Sequence, residues 1–436
     1  MIKASKKKIY VIIFLIDLLL ILLKFPSYSQ SEAKAALTPH LDSLHAYPTK
    51  LSSKKPWEKV VDFPGMVIFL PFKIVFVGIE ETVEYVDDSG LLPKIVEFAK
   101  VFDRPKGVVP KYSNRFGGGL SYYYKNLFNK GIKFDIGFQR GLKSKNRVRM
   151  RLRNLQLSRS KFSSNILVWY QFLSYESFFG IGNNSAFTDE SNYAHQQTAV
   201  EFVVNSYHHE KTTVGFRIGF DYNSIARGRD KNTPSTTELF SEQLLPGLGE
   251  KNRIVKMKFE LSHNGLNKPR RPSAGGYLSV GGGFYNSINS DIFKFWKMKA
   301  DYRRYIHLFY GRTFVFRIAG ETTRSVSDKK IPFYYLSELG EQETIRGFTR
   351  NRFRDRDMIL GSLEYHYPIW RVLDAEFFID AGQVSENIFK NLSKNKFHPG
   401  YGGSLSIWGS DKVIVRFTIG KSRDRMRYYL SINKDF

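Results

Sequence analysis

The residue types that could do chemistry in this chain fail, one after another, to assemble a recognisable catalytic pattern. His209-Glu210 opens like the helix of a metalloprotease, but Thr213 stands where the second histidine is needed. No G-x-S-x-G nucleophile elbow occurs. The paired acids Asp87 and Asp88 fall in a turn-like stretch that reads as solvated. Cysteine is absent, which removes disulfides, thiolate nucleophiles and cysteine-held zinc. The expectation is a protein that is not an enzyme and takes neither cofactor nor metal. One short pattern keeps its interest, the tetrapeptide Ile345-Arg346-Gly347-Phe348, in the middle of a long connection from about residue 324 to 357. Glycine permits a tight turn there, phenylalanine can pack, and arginine presents a planar fork of donors that fits a carboxylate.

The elements around it must be strands. From residue 111 onward apolar and polar residues alternate. Ile132, Phe134, Ile136 and Phe138 interleave with Lys133, Asp135, Gly137 and Gln139. Val148, Met150 and Leu152 interleave with Arg147, Arg149, Arg151 and Arg153. Period two puts one face of each strand in an apolar medium and the other in a polar one. A soluble sandwich alternates as well. These runs are roughly ten to fourteen residues long, however, against about five or six in a globular strand, and their polar faces are dense with charge. A hydrated lumen tolerates that and a packed core does not. Fifteen runs can be counted between 114 and 436. Closed bacterial barrels of this kind have an even number of strands, so sixteen are expected, with the unseen one upstream of Glu176. The fold class is all-β, a 16-stranded antiparallel transmembrane barrel. The long connections near 181–191, 225–250, 324–356 and 386–397 are expected outside the cell, because the periplasmic turns of such barrels are short.

Composition fits this reading. Aromatic residues make up 15%, with 25 Tyr and 37 Phe, and mean hydropathy is −0.33 despite 42% hydrophobic residues. The net charge of +26 invites a nucleic-acid reading. The basic residues are spread along strand-like segments, which suits a basic lumen and anionic lipid headgroups better, so no nucleic-acid partner is expected.

Ahead of the barrel, Lys3, Lys6, Lys7 and Lys8 precede the apolar run Ile9 to Leu23, and small polar residues follow at Ser27 to Ser31. This order is that of a secretory signal, taken as residues 1–30, with cleavage near Gln30 or after Ala35. Asp17 and the shortness of the run weigh against a transmembrane anchor. Residues 31–110 are expected to form a periplasmic segment with short helices, lying at the membrane interface or packed as a small subdomain over the barrel mouth. No βααββ repeat is evident within it.

The tetrapeptide, in its long connection and followed by two particular strands, resembles the bacterial surface-antigen superfamily of outer-membrane barrels, the BamA/TamA-like assembly and two-partner-secretion barrels. In that family a long sixth loop folds into the lumen behind a [V/I/L]-R-G-[F/Y] tip, which Ile345–Phe348 matches. The resemblance implies that Arg346 pairs with an acid on the inner wall. Phe377-Phe378-Ile379-Asp380-Ala381-Gly382 is similar to the family's F-x-D-x-G strand, which makes Asp380 the first choice of partner. Glu364, inward-facing with His366 by alternation with Leu363, Tyr365 and Tyr367, is the second. Phe178-Phe179-Gly180-Ile181-Gly182-Asn183-Asn184 is similar to a loop common in the family, and Pro246-Gly247 with Pro272, Gly275 and Gly276 to its mid-barrel pattern, without the usual D-x-R element. Tyr428, Leu430, Ile432 and Phe436 form a C-terminal strand signal ending in an aromatic.

The resemblance implies a function: assisting insertion or translocation of proteins at the bacterial outer membrane through a lateral seam, with the inward loop locked by Arg346. The implied partners are outer-membrane lipids with their anionic headgroups, nascent outer-membrane or secreted proteins, and accessory periplasmic proteins. The alternatives are a passive channel or structural barrel with a basic, anion-favouring lumen, and a surface adhesin that uses the aromatic loops.

Overall fold

The computed structural model describes residues 104–436, apart from 142–143, 157–161, 209–210, 242, 269–270, 371–372, 409–412 and 433–436. The expected signal at 1–30, almost all of the expected periplasmic segment 31–110 and the terminal Phe436 of the C-terminal strand signal therefore lie outside the described residues.

Sixteen antiparallel strands close into a barrel. The first five are β1 (Lys106–Ser113), β2 (Gly117–Leu127), β3 (Ile132–Gly141), β4 (Lys145–Gln156) and β5 (Phe162–Phe178). Next come β6 (Ser191–His208), β7 (Thr212–Arg227), β8 (Lys251–Asn264), β9 (Gly275–Ser287), β10 (Lys294–His307) and β11 (Thr313–Ser325). A long loop then carries a small ribbon, β12 (Ser337–Leu339) paired with β13 (Phe353–Asp355). The wall resumes with β14 (Asp357–Trp370), β15 (Leu373–Ser385), β16 (His398–Trp408), β17 (Val413–Ser422) and β18 (Met426–Ile432). Each wall strand pairs with its neighbour in sequence, and β18 returns to β1.

The strand that alternation leaves unseen is β1. It contains Pro110, which lacks an N–H, and Gly107, both unusual inside a strand. The run read from residue 114 opens on a turn over Asn114–Phe116 and then forms β2, and the wall begins at Lys106 rather than at 111.

Burial is inverted relative to a soluble protein. Phe138, Phe216, Phe259, Met298 and Ile379 are exposed on the outer face, while Asp135, Glu201, Asp221, Lys256 and Asp380 are buried inside. An apolar exterior around a charged interior is the arrangement that lipid outside and a polar lumen within require. Inside, buried Lys256 lies 2.6 Å from Asp221 and 2.7 Å from Glu201, so buried charges meet opposite ones.

The up-and-down order puts all four long connections on one rim. The residues between β5 and β6, β7 and β8, β11 and β14, and β15 and β16 all follow odd-numbered positions in the wall. Two apolar cores fasten these loops inside. One joins the lumenal face of six consecutive strands, from Phe178 on β5 to Phe295 on β10, to the loop residues Leu245, Leu248, Ile331, Phe333 and Leu336. The other joins Ala319, Leu360 and Val384 on β11, β14 and β15 to Leu339, Ile345, Phe348 and Phe353 of the long loop.

Candidate functional site

The long loop between β11 and β14 enters the lumen as a hairpin. The β12–β13 ribbon zips its two arms, with Leu339 opposite Phe353 and Ser337 opposite Asp355, and the stretch 340–352 becomes its tip. Ile345 and Phe348 are fully buried in the second apolar core. Each contributes about 1.5–3 kcal/mol toward holding the tip on the wall. Phe348 packs edge-on to Phe353 at 5.3 Å, and Phe353 stacks on His398 of β16 at 3.8 Å.

Arg346 lies between them and reaches the wall. Its Nε donates to Asp380 Oδ2 at 2.7 Å, and its Nη2 to Asp380 Oδ1 at 2.6 Å. Its own backbone N–H also donates to Asp380 Oδ2, at 3.0 Å. Nη2 donates further to Glu364 Oε1 at 2.8 Å, and Nη1 to Glu376 Oε1 at 2.8 Å. The guanidinium sits 3.5 Å from the centre of the Phe378 ring. Asp380 is fully buried and takes a fourth donor, Ser362 Oγ, at 2.6 Å. Burial works against the charge on the loop residue Arg346, but Asp380, Glu364 and Glu376 outweigh it and hold the guanidinium above its ordinary range.

Both acids named from the sequence, Asp380 and Glu364, thus lie against Arg346. A third, Glu376, was missed. Its position follows from alternation, since Glu376, Phe378 and Asp380 share the inner face of β15, although Glu376 lies outside the F-x-D-x-G pattern. Glu364, His366 and Glu376 also bring three possible metal ligand atoms within 4.8 Å of one another. His366 Nε2 lies 3.0 Å from Glu364 Oε2 and 3.7 Å from Glu376 Oε2. The imidazole thus lies between two carboxylates, and the opposite oxygen of each acid is taken by Arg346.

Gly347 has a φ of +94°, a region L side chains rarely adopt, and a Cβ there would lie 2.6 Å from the backbone carbon of Lys421. The wall yields space in return. A Cβ at Gly420 on β17 would meet Gly347 N at 2.6 Å, and one at Gly400 on β16 would meet the carbonyl oxygen of Arg346. These two wall glycines form the floor on which the tip lies. A strand-interior glycine signals close backbone approach, so the floor could have been suspected from the sequence, though not what covers it.

The tip is also tied to the last strand. Gly347 N donates to Tyr429 Oη at 3.1 Å, and that hydroxyl donates to Phe348 O at 3.3 Å. Arg427 Nη2 donates to Thr349 Oγ1 at 2.7 Å. The fully buried Arg352 donates from Nε to Asp424 Oδ2 at 2.6 Å, in the turn that leads into β18. Tyr428 is exposed outward, with Leu430 and Ile432 on the same face, so the residues that meet the loop are on the face opposite the C-terminal signal. Neither a motif nor the outward periodicity in the sequence marks Tyr429, Arg427, Arg352 or Asp424.

The glycine-rich stretch after β5 braces the loop from another side. Gly182 N donates to Arg354 O at 2.7 Å. Asn183 Oδ1 accepts from Val384 N at 3.0 Å, and Asn183 O lies 3.0 Å from His398 Nε2.

Where the barrel closes, the described residues of β1 and β18 are in register at Tyr112 with Ile432 and Ser113 with Ser431. Above that pair Met426–Leu430 run past the end of β1. There the Asn114 side chain takes a strand's place, its Nδ2 donating to Tyr428 O and its Oδ1 accepting from Leu430 N, both at 3.1 Å.

Comparison with known proteins agrees with this architecture. The Omp85 superfamily domain matches residues 126–426. Among solved structures, the crystal structure of BamA from Haemophilus ducreyi lacking POTRA domains 1–3 aligns with a TM-score of 0.55 at 14% identity, over 75% of this chain and 70% of that one. CdiB from Escherichia coli aligns with a TM-score of 0.49 at 11% identity, over 76% of this chain and 63% of that one. No curated protein matches the sequence. The chain belongs to the Omp85 superfamily and is a bacterial outer-membrane β-barrel.

Proposed function

We propose that this barrel assists the insertion or translocation of proteins at the outer membrane through the β1–β18 seam, and that the Arg346 tip is the lock that holds the seam strand in place. The observation that carries the reading is the attachment of one loop tip to two things at once. Arg346 is bound to the wall acids of β14 and β15, and the next two residues are bound to Tyr429 on β18. A shift of the tip is therefore felt at the strand that closes the barrel. Pro110 in β1 has no N–H to give, and a side-chain amide covers part of the β18 edge. A strand edge that is lightly held can template an incoming strand by main-chain hydrogen bonding. The resemblance of the tetrapeptide and its two following strands to assembly and secretion barrels points to protein clients.

The test has two arms. Depleting the protein from its host should lower the folded yield of several unrelated outer-membrane proteins, whereas a passive channel or structural barrel leaves those yields unchanged. Ser113→Cys with Ser431→Cys places two thiols at directly opposed positions in a chain with no native cysteine. Oxidation should abolish client folding, and reduction should restore it. Full activity in the oxidised form would sink the seam.

A further inference from the structure

Three side chains able to ligate a metal stand together on the lumenal face of β14 and β15. Glu364 and His366 are two residues apart on β14 and so leave the same face. Glu376 on β15 is in register with His366. The pairing of two wall strands places all three, and no loop has to fold for them to meet. Their separation in sequence forms no ligand motif, so only the register reveals them.

Glu364 Oε2 lies 3.0 Å and Glu376 Oε2 3.7 Å from His366 Nε2, and the three ligand atoms are within 4.8 Å of one another. Four ligands around zinc, each about 2.0–2.1 Å from the ion, stand roughly 3.3 Å apart. The two distances to the imidazole bracket that spacing.

Glu376 points most directly to a cation. Its side chain is 8% exposed, and its Oε1 accepts from Arg346 Nη1. Its Oε2 accepts no hydrogen bond among the described residues, and the imidazole stands beyond that range. A buried carboxylate oxygen without a donor is costly. A proton on His366 Nε2 can serve one of the two glutamates, whereas an ion between the three atoms serves both.

The surroundings suit a positive ion. Arg346 brings one positive charge to three carboxylates, Glu364, Glu376 and Asp380. It takes Oε1 of each glutamate and leaves Oε2 of both to the imidazole, and outer contacts of this kind orient metal ligands. The other arginines of the adjoining cavity are engaged elsewhere, Arg303 and Arg317 with Asp301, Arg271 with Asp374, and Arg416 with Ser406.

We propose that Glu364, His366 and Glu376 bind a divalent transition cation, zinc foremost. One imidazole nitrogen with two carboxylate oxygens is a donor set for such an ion. Calcium takes six to eight oxygens, and magnesium demands a near-ideal octahedron of them. The fourth position opens on a cavity of about 230 Å³ that all three residues line. The ion ties β14 to β15 next to the acids that hold Arg346. The site is built on wall strands, so it stands whether or not the seam admits protein clients.

The test uses the full chain without a histidine tag, folded in an uncharged maltoside detergent and stripped with a chelator. Zinc chloride and magnesium chloride are titrated separately by calorimetry. One saturable zinc site is expected, with no magnesium binding at the same concentrations. Affinity should fall at least tenfold in His366→Ala and in Glu376→Gln, which keeps an acceptor for Arg346 and loses the second ligand oxygen. It should be unaltered in His263→Ala, whose imidazole bonds Thr212 on another part of the wall. Should the site variants fail to fold, diethyl pyrocarbonate modification of the unaltered chain, read by mass spectrometry, gives the answer. Zinc should slow reaction at His366 at least tenfold and leave the exposed His307 as before. Absence of saturable zinc binding, equal weakening by His263→Ala, lack of protection at His366, or equal binding of magnesium would each overturn the proposal.

Discussion

Single residues at the tip differ in how much they hold. Removing Arg346 leaves Asp380 fully buried with its main counter-charge gone, and Glu376 nearly so. Breaking a buried ion pair from one side costs about 3–5 kcal/mol, because the remaining charge stays desolvated. Arg346→Ala should therefore lower the temperature at which the folded form disappears on semi-native gels, and an unchanged transition would discard the lock. Gly400→Ala tests the same attachment without touching the motif. The added methyl meets the carbonyl oxygen of Arg346, so the tip must lift from the wall. Trypsin should then cut at Arg350 and Arg352 in the variant while sparing the parent. The sequence made Arg346, Asp380 and Glu364 legible because a short motif and strict alternation carry them. It left Gly400 and Gly420 silent, since a glycine shows that something comes close without showing what. Nor did it reveal Arg352, whose partner Asp424 is 72 positions away.

At the level of elements, β18 is held from both edges and from within. β17 pairs with it along its described length, from Val415 opposite Ile432 to Lys421 opposite Met426. β1 meets it over two described residue pairs and the Asn114 amide, and the loop tip meets it from the lumen through Tyr429. Tyr429→Phe removes one hydroxyl and leaves the buried Gly347 N–H without its acceptor, a loss of about 1–3 kcal/mol. The effect should be local. Amide exchange at Gly347, Phe348 and the β18 backbone should quicken, while β6 to β8 exchange as before; uniform acceleration across the barrel would show that Tyr429 acts on global stability and not on the seam. Alternation found the outward face of this strand and nearly every other strand of the wall, because lipid imposes a period of two without exception. It missed β1, where Pro110 and Gly107 interrupt the pattern and the neighbouring glycines of β2 blur the turn between them. Pairing, not hydrophobicity, identifies that strand, with Lys106 to Ser113 in register against Tyr124 to Gly117.

For the whole molecule the consequence is a direction. Sixteen strands joined in sequence order alternate up and down, so every connection after an odd position in the wall lies on one rim and every connection after an even position on the other. The four long connections fall on the same rim, which the sequence anticipated from their lengths alone, and long connections belong outside the cell. Residues exposed at the two rims can report this. Leu239 and Phe389 stand on the long-loop rim, 54% and 76% exposed, and Phe128 and Tyr310 stand on the opposite rim, 75% and 53% exposed. In a chain without cysteine, each can be changed to cysteine singly and offered a maleimide that does not cross membranes. On intact cells Leu239→Cys and Phe389→Cys should label, while Phe128→Cys and Tyr310→Cys should label only after the outer membrane is permeabilised. The reverse pattern would turn the barrel over. It would put the Arg346 tip, which descends from the long-loop rim, on the periplasmic side of the lumen. A mixed pattern would break the strand order itself, because no antiparallel closed wall can place two odd connections on different sides.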